Sequence, residues 1–171
     1  MDPADEAAYR EFVRYRGAGL LRTAFLLCGD LGHAEDLLQN AYLGLYRAWP
    51  LRTAEAADAY VRRSLCNGRT SRWRRRSSHE RPEATLPESA GPDEMAAVDT
   101  RDLVLRALAT LAPRQRAVIV LRFYADLGEA DTANALGCSL GTVKSQTSDA
   151  LARLRRYEDL ATSRRTTKER A

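Results

Sequence analysis

The sequence predicts an all-α protein of two small helical domains joined by a flexible acidic linker. Three observations carry this. Apolar residues recur at helical spacing through most of the 171 residues. A proline-containing acidic stretch at residues 77–100 divides the chain. Residues 129–156, EADTANALGCSLGTVKSQTSDALARLRR, read as two helices across a tight turn. The boundaries follow: a first domain at 5–76, the linker at 77–100, a second domain at 101–157 and a basic tail at 158–171.

Residues 5–16 are expected to form a first helix, with Ala8, Phe12 and Tyr15 facing inward. The run from Leu20 to Cys28, LLRTAFLLC, is apolar nearly all round, as in a helix buried in a bundle. Gly29 to Gly32 breaks it. Residues 33–49 give the next helix, in which Leu37, Ala41, Leu45 and Trp49 recur every four residues and Leu38 and Tyr42 widen the stripe. Asp36, Gln39, Asn40, Leu43 and Arg47 fall toward the other side. A carboxylate, two amides and an exposed leucine suit a protein partner, and an ordinary wet face has the same pattern; both readings stand.

After a short loop at 50–57, residues 58–76 form a helix with Tyr60, Val61, Leu65 and Trp73 on its apolar side and Asp58 at its start. Arg62, Arg63, Arg69, Arg72, Arg74, Arg75 and Arg76 crowd the rest, without an acidic residue between Val61 and His79. So dense a basic helix with Trp73 interleaved suits phosphate neutralisation and base stacking. A solvated arginine face or a membrane-surface helix are the alternatives. The stretch 77–100 carries Pro82, Pro87 and Pro92 with six acidic residues against Arg81, the composition of a tether; residues 93–98 can already begin the next helix.

The second domain opens with a helix at 102–111 carrying Leu103, Leu105, Ala107, Leu108 and Leu111. Pro113 starts another in the first-turn position proline tolerates, with Val118, Ile119, Leu121 and Tyr124 inward. In the two-helix stretch, Ala133, Ala135 and Leu136 make one apolar side and Gly137 is the stop. Ser139 is the N-cap of the following helix, whose Val143, Ala150, Leu151 and Leu154 pack inward. Its other face carries Thr142, Lys144, Ser145, Gln146, Ser148, Asp149 and Arg153. Small alanine, turn glycine and buried valine at this spacing are what a helix-turn-helix requires, and the second helix would then enter a major groove. A plain helical hairpin is the alternative. Beyond Arg156 periodicity fades, and the tail is expected to fray.

Composition narrows the classes. Net charge is only +4, so segregation of charge matters more than its sum. Cys28, Cys66 and Cys138 are widely spaced, form no CxxC pair and have only His33 and His79 for company, which argues against zinc or another metal. No phosphate loop and no nucleophile paired with histidine is recognisable, so neither an enzyme nor a cofactor is expected. The N-terminus is acidic and polar, unlike a secretory signal, and no apolar run approaches a membrane span. The expected location is the cytoplasm.

The order of these features, over about residues 9–157, resembles bacterial RNA polymerase sigma factors of the extracytoplasmic-function (ECF) type, which keep only regions 2 and 4 of the sigma-70 family. HAEDLLQNAYLGLYRAW resembles the region 2 helix that binds the clamp helices of the polymerase's largest subunit, and DAYVRRSLCNGRTSRWRRR the helix that melts and reads the −10 element. The Leu-x-Pro-Arg-Gln-Arg and Gly-Thr-Val-Lys-Ser signatures resemble region 4, and actinobacterial sigma-E-like members look nearest. The resemblance implies core polymerase contact by Asp36, Gln39, Asn40 and Leu43. It implies −10 contact by Arg62, Arg63, Asn67, Arg69, Arg72 and Trp73, with the loop at 51–57. It implies −35 contact by Thr142, Lys144, Ser145, Gln146, Ser148, Asp149 and Arg153, and places Arg114 and Arg116 near the polymerase flap or the DNA backbone. Partners would be core polymerase, promoter DNA and, as such factors commonly have, an anti-sigma protein. Two positions depart from the pattern: Asn40 stands where many relatives are acidic, and Asp149 where many carry arginine. A stand-alone helix-turn-helix regulator, or an RNA-binding or interaction adaptor, are the competing readings.

Overall fold

The computed structural model describes residues 2–49, 53–76 and 92–168, with side chains at 2–49, 53–68 and 101–159. The described residues are helical almost throughout, in the order α1 (Pro3–Cys28), α2 (Leu31–Ala48), α3 (Ala54–Arg76), α4 (Pro92–Ala109), α5 (Pro113–Ile119), α6 (Glu129–Leu136) and α7 (Leu140–Lys168). Residues Val120–Tyr124 continue α5 as a π-helical turn.

Helices α1, α2 and α3 pack on one another. The helix expected at residues 5–16 and the apolar run at 20–28 are one helix. Asp2 caps α1 by accepting from the Asp5 N–H at 2.8 Å, and the helix runs unbroken to Gly29. One continuous register explains which of its residues are inside. Phe12, Leu20, Ala24 and Leu27 share an arc and are buried, whereas Ala8 and Tyr15 fall outside it and are exposed. Gly29 ends the helix at φ 81°, a left-handed conformation that glycine takes without strain. Asp30 then caps α2 through the His33 N–H at 2.8 Å. The stripe Leu37, Leu38, Ala41 and Leu45 is buried as spaced, with Trp49 half-buried at the C-cap. Tyr9 fastens α1 to this end, edge-on to both Tyr46 and Trp49, while the Trp49 indole donates to Asp5. Close approach of α3 to α2 needs Gly68, where a Cβ would lie 2.9 Å from the Leu37 side chain.

Helix α3 begins at Ala54, one turn before the expected Asp58, so Asp58 lies inside the helix. Ala57, Val61, Leu65 and Cys66 line its buried side and Tyr60 is half-buried. The expected inward position of Trp73 lies outside the described side chains. Of the stretch read as a tether, 77–91 lie outside the described residues, and α4 already begins at Pro92.

In the second half, Leu108 and Leu111 are buried, while Leu103 is more exposed than its spacing predicts. Gln115 reaches back to the Ala112 N–H at 3.2 Å and steadies the start of α5. Val118, Ile119 and Leu121 are buried, and Tyr124 is exposed rather than in the core. The π-helical turn supplies the reason: its wider winding rotates the following residues out of α-helical register. Helix α6 ends at Gly137, φ 60°, and the Ser139 hydroxyl accepts from the Thr142 N–H at 3.1 Å to open α7. Ala133, Ala135, Val143 and Ala150 are buried where the helices cross. Helix α7 extends to Lys168, past the point at which the tail was expected to fray.

The two halves are packed together. Helix α6 lies against α3, and the π-helical turn against α1. One hydrophobic cluster runs from Leu20, Leu27, Val61 and Leu65 into Leu108, Leu121 and Ala135.

Candidate nucleic-acid interface

The outward faces of α2, α3 and α7 carry the polar side chains that the sequence singles out. On α2, Asp36, Gln39, Asn40 and Leu43 are all exposed, because Leu37, Leu38, Ala41 and Leu45 fix the opposite face inward. The Asn40 amide donates to the Asp36 carbonyl at 2.7 Å. Leu43 and its neighbour Tyr46 are about half exposed, and this apolar spot among polar groups fits a protein surface better than a nucleic acid.

On α3, Arg63 and Asn67 are exposed, and Arg62 is not. The Arg62 side chain is only 12% exposed and ion-pairs with Asp58 one turn earlier. Asp58 is 7% exposed and also receives Arg16 of α1, whose Nη2 lies 3.0 Å from Oδ1. One buried carboxylate therefore holds two guanidinium groups. Neither Arg16 nor this role of Asp58 was legible as a site feature. The i,i+4 spacing of Asp58 and Arg62 is the one local signal; the contribution of Arg16 comes from 42 residues away. Arg69, Arg72 and Trp73 continue α3, and their side chains, like residues 51 and 52 of the expected loop, lie outside the described residues.

On α7, Lys144, Ser145, Ser148, Asp149 and Arg153 are exposed, opposite or beside the packed side marked by Val143 and Ala150, and Thr142 and Gln146 are half-buried at its edge. The N-terminus of α7 is open, its Leu140 side chain exposed. Free backbone N–H groups and the helix dipole favour a phosphate there. Lys144 makes a 3.8 Å contact with Glu129 of α6, both well exposed, which is weak enough for a phosphate to displace. Seryl, threonyl and glutaminyl groups are donors and acceptors for base edges and phosphate oxygens.

Arg114 is exposed, whereas Arg116 is 6% exposed and turned into the first half of the chain. Its Nε donates to the Leu26 carbonyl at 2.6 Å. The flap or backbone contact that the resemblance implied for Arg116 is thus not open in this arrangement.

Among the described residues no helix is long and apolar enough to cross a membrane. Comparison with known proteins gives two family matches: Sigma-70 region 2 over residues 12–79 and Sigma-70 region 4 over residues 107–156. The RNA polymerase sigma-E factor of Streptomyces coelicolor is 45% identical over 86% of this chain and 84% of its own length. The ECF RNA polymerase sigma factor SigM of Mycobacterium tuberculosis is 37% identical over 89% of this chain and 78% of its own. Among solved structures, the sigma factor RpoE of Bartonella quintana, in complex with the anti-sigma factor NepR, superposes with a TM-score of 0.70, covering 87% of this chain and 95% of that one at 24% identity. CnrH in complex with the cytosolic domain of CnrY superposes with a TM-score of 0.69, covering 91% and 90% at 20% identity. Two region matches in the right order and relatives of this identity over nearly the whole chain place it in the sigma-70 family, and it belongs to the ECF-type RNA polymerase sigma factors, beside the sigma-E proteins of Streptomyces.

Proposed function

We propose that this sigma factor divides its task among the three exposed faces. Core RNA polymerase binds through Asp36, Gln39, Asn40 and Leu43 on α2, with the clamp helices of its largest subunit as the partner surface. The −10 element is met by α3, through Arg62, Arg63, Asn67, Arg69, Arg72 and Trp73, where a basic helix can hold a separated strand and stack its bases. The −35 element is met in its major groove by Thr142, Lys144, Ser145, Gln146, Ser148, Asp149 and Arg153 on α7. The domains are those read from the sequence, 5–76 and 101–157, each supplying one DNA contact so that tethering raises the effective concentration of the second. The chain supplies recognition and the polymerase supplies the chemistry, in the cytoplasm. An anti-sigma protein is a further partner, as in the solved complex from Bartonella quintana.

The observation that supports this reading most is the orientation of α7: with Val143 and Ala150 buried, Lys144, Ser145, Ser148, Asp149 and Arg153 are exposed, and Thr142 and Gln146 are half-buried at the edge of that face. Run-off transcription tests it. Core polymerase from an actinobacterium, supplied with genomic promoter fragments, is expected to give discrete new transcripts only with this protein present. Their start sites would define both promoter elements. Absence of transcripts together with absence of core binding would overturn the reading in favour of a stand-alone regulator.

A further inference from the structure

Arg16 belongs to α1 and to none of the faces assigned above. Its side chain is 52% exposed, yet its guanidinium is fixed along one edge: Nε and Nη2 both donate to Asp58 Oδ1, at 3.1 and 3.0 Å. The other carboxylate oxygen, Oδ2, takes Nε of Arg62. The two partners of Asp58 differ in exposure: Arg62 is drawn inward and Arg16 stays at the surface. A guanidinium has two edges on which parallel N–H groups can engage an anion. Asp58 occupies the Nε–Nη2 edge of Arg16, which leaves the Nη1–Nη2 edge for a second acceptor. A pair of phosphate oxygens matches it. Because the stem is already held, binding has little rotamer freedom left to remove.

Arg63 follows Arg62 on α3, is exposed, and borders the same cleft as Arg16. Glu55 and Asp131 border it too, so positive and negative side chains are balanced there. What this surface offers a nucleic acid is therefore two placed guanidinium groups, one of them pinned, rather than a broad field. The basic face of α3 continues in this way onto α1. We propose that Arg16 is a further contact of the strand that carries the −10 element, gripping a backbone phosphate beside Arg63, and that Asp58 is its positioning residue. This rests on the assignment of α3 to that strand. Such a contact fixes the path of the strand and reads no base.

Fluorescence anisotropy of the full chain with a short labelled DNA single strand, titrated at several salt concentrations, reads the contact. Each phosphate contact to a single strand adds about 0.7 to the slope of log affinity against log salt. Arg16→Ala is expected to lower affinity several-fold and the slope by about that amount, as is Arg63→Ala. Arg14→Ala is the charge-matched control. Arg14 is exposed on the opposite side of the same helix, with its guanidinium 4.7 Å from the centre of the Tyr15 ring. Its loss is expected to leave the slope unchanged. An Arg16→Ala titration superimposable on that of Arg14→Ala overturns the proposal. If Arg16→Ala loses helix by circular dichroism, Arg16→Gln, which keeps the stem without the charge, takes its place with the same expectation. An unchanged slope for Arg63→Ala, or no binding by the wild-type chain, has a different meaning: the assignment of α3 fails, and Arg16 falls with it.

A double-mutant cycle reads the positioning role. Removing an acidic group near a strand should tighten binding through charge alone. Asp58→Asn is expected instead to weaken it, and to do so less in the Arg16→Gln background. Equal effects in the two backgrounds overturn the role of Asp58. If Asp58→Asn loses helix, Arg16→Lys reads the same point, since lysine keeps the charge without the second edge. Partial recovery relative to Arg16→Gln is expected, and full wild-type affinity overturns positioning.

Discussion

Lys144 and Asp149 lie on the same exposed face of α7 with opposite expected effects on DNA. Lys144→Ala is expected to weaken binding of a −35 duplex and to reduce the slope of log affinity against log salt by about 0.9, the loss of one phosphate contact; anisotropy titrations at several salt concentrations measure it. Asp149 brings a carboxylate toward phosphates, which repel it unless it accepts from a cytosine amino group. Asp149→Arg is expected to tighten −35 binding at matched salt; unchanged or weaker binding argues against this, and only the weaker case fits a base contact by Asp149. Tyr42 gives a test of stability. Its buried hydroxyl has no protein hydrogen-bond partner among the described residues. Burial first, then Tyr9 and Asp58, push its pKa up to about 12. A raised folded-state value means that the neutral phenol is favoured in the fold. Its contribution is complete below the ordinary value near 10 and is lost as pH rises through about 12. Tyr42→Phe is expected to leave stability at neutral pH unchanged or raise it by up to about 1 kcal/mol. It should also flatten the fall in urea midpoint on the alkaline side. The α7 and α2 faces were legible because local spacing alone decides which side of a helix is wet. Asp58 and Arg116 were not, because what each touches is set by packing between distant elements.

The helix-turn-helix owes its corner to Gly137. At φ 60° and with nothing within 4 Å of an added Cβ, its substitution meets a conformational penalty and no clash. Gly137→Ala is expected to cost roughly 1–2 kcal/mol, read as a lower urea midpoint at constant slope, with −35 affinity retained at low temperature. This corner could be read from sequence, since a glycine stop followed by a serine cap is a local signal. Residues 5–16 and 20–28, read as separate stretches, are joined in α1 through Gly17 and Gly19. Gly17 and Gly19 weaken a helix locally, but the buried arc from Phe12 to Leu27 is continuous only if the helix is, and its burial outweighs a penalty of about 1 kcal/mol per glycine. Tyr124 failed on a different count. A π-helical turn inserts an extra residue into the winding, and no spacing rule for α-helices can anticipate it.

At the scale of the whole molecule, two helical halves could be read from the chain, but their closure could not. The apolar cluster that crosses between them has a measurable signature. Heat should unfold the wild-type chain in one cooperative transition, and Arg116→Ala should separate it into two, seen by calorimetry as a calorimetric enthalpy exceeding the van't Hoff value. Two transitions in the wild-type chain would show that the shared cluster does not couple the halves. The grip of Arg116 on α1 is indifferent to dosage. Both ends of that contact belong to one chain, so dilution does not loosen it and a higher protein concentration does not tighten it.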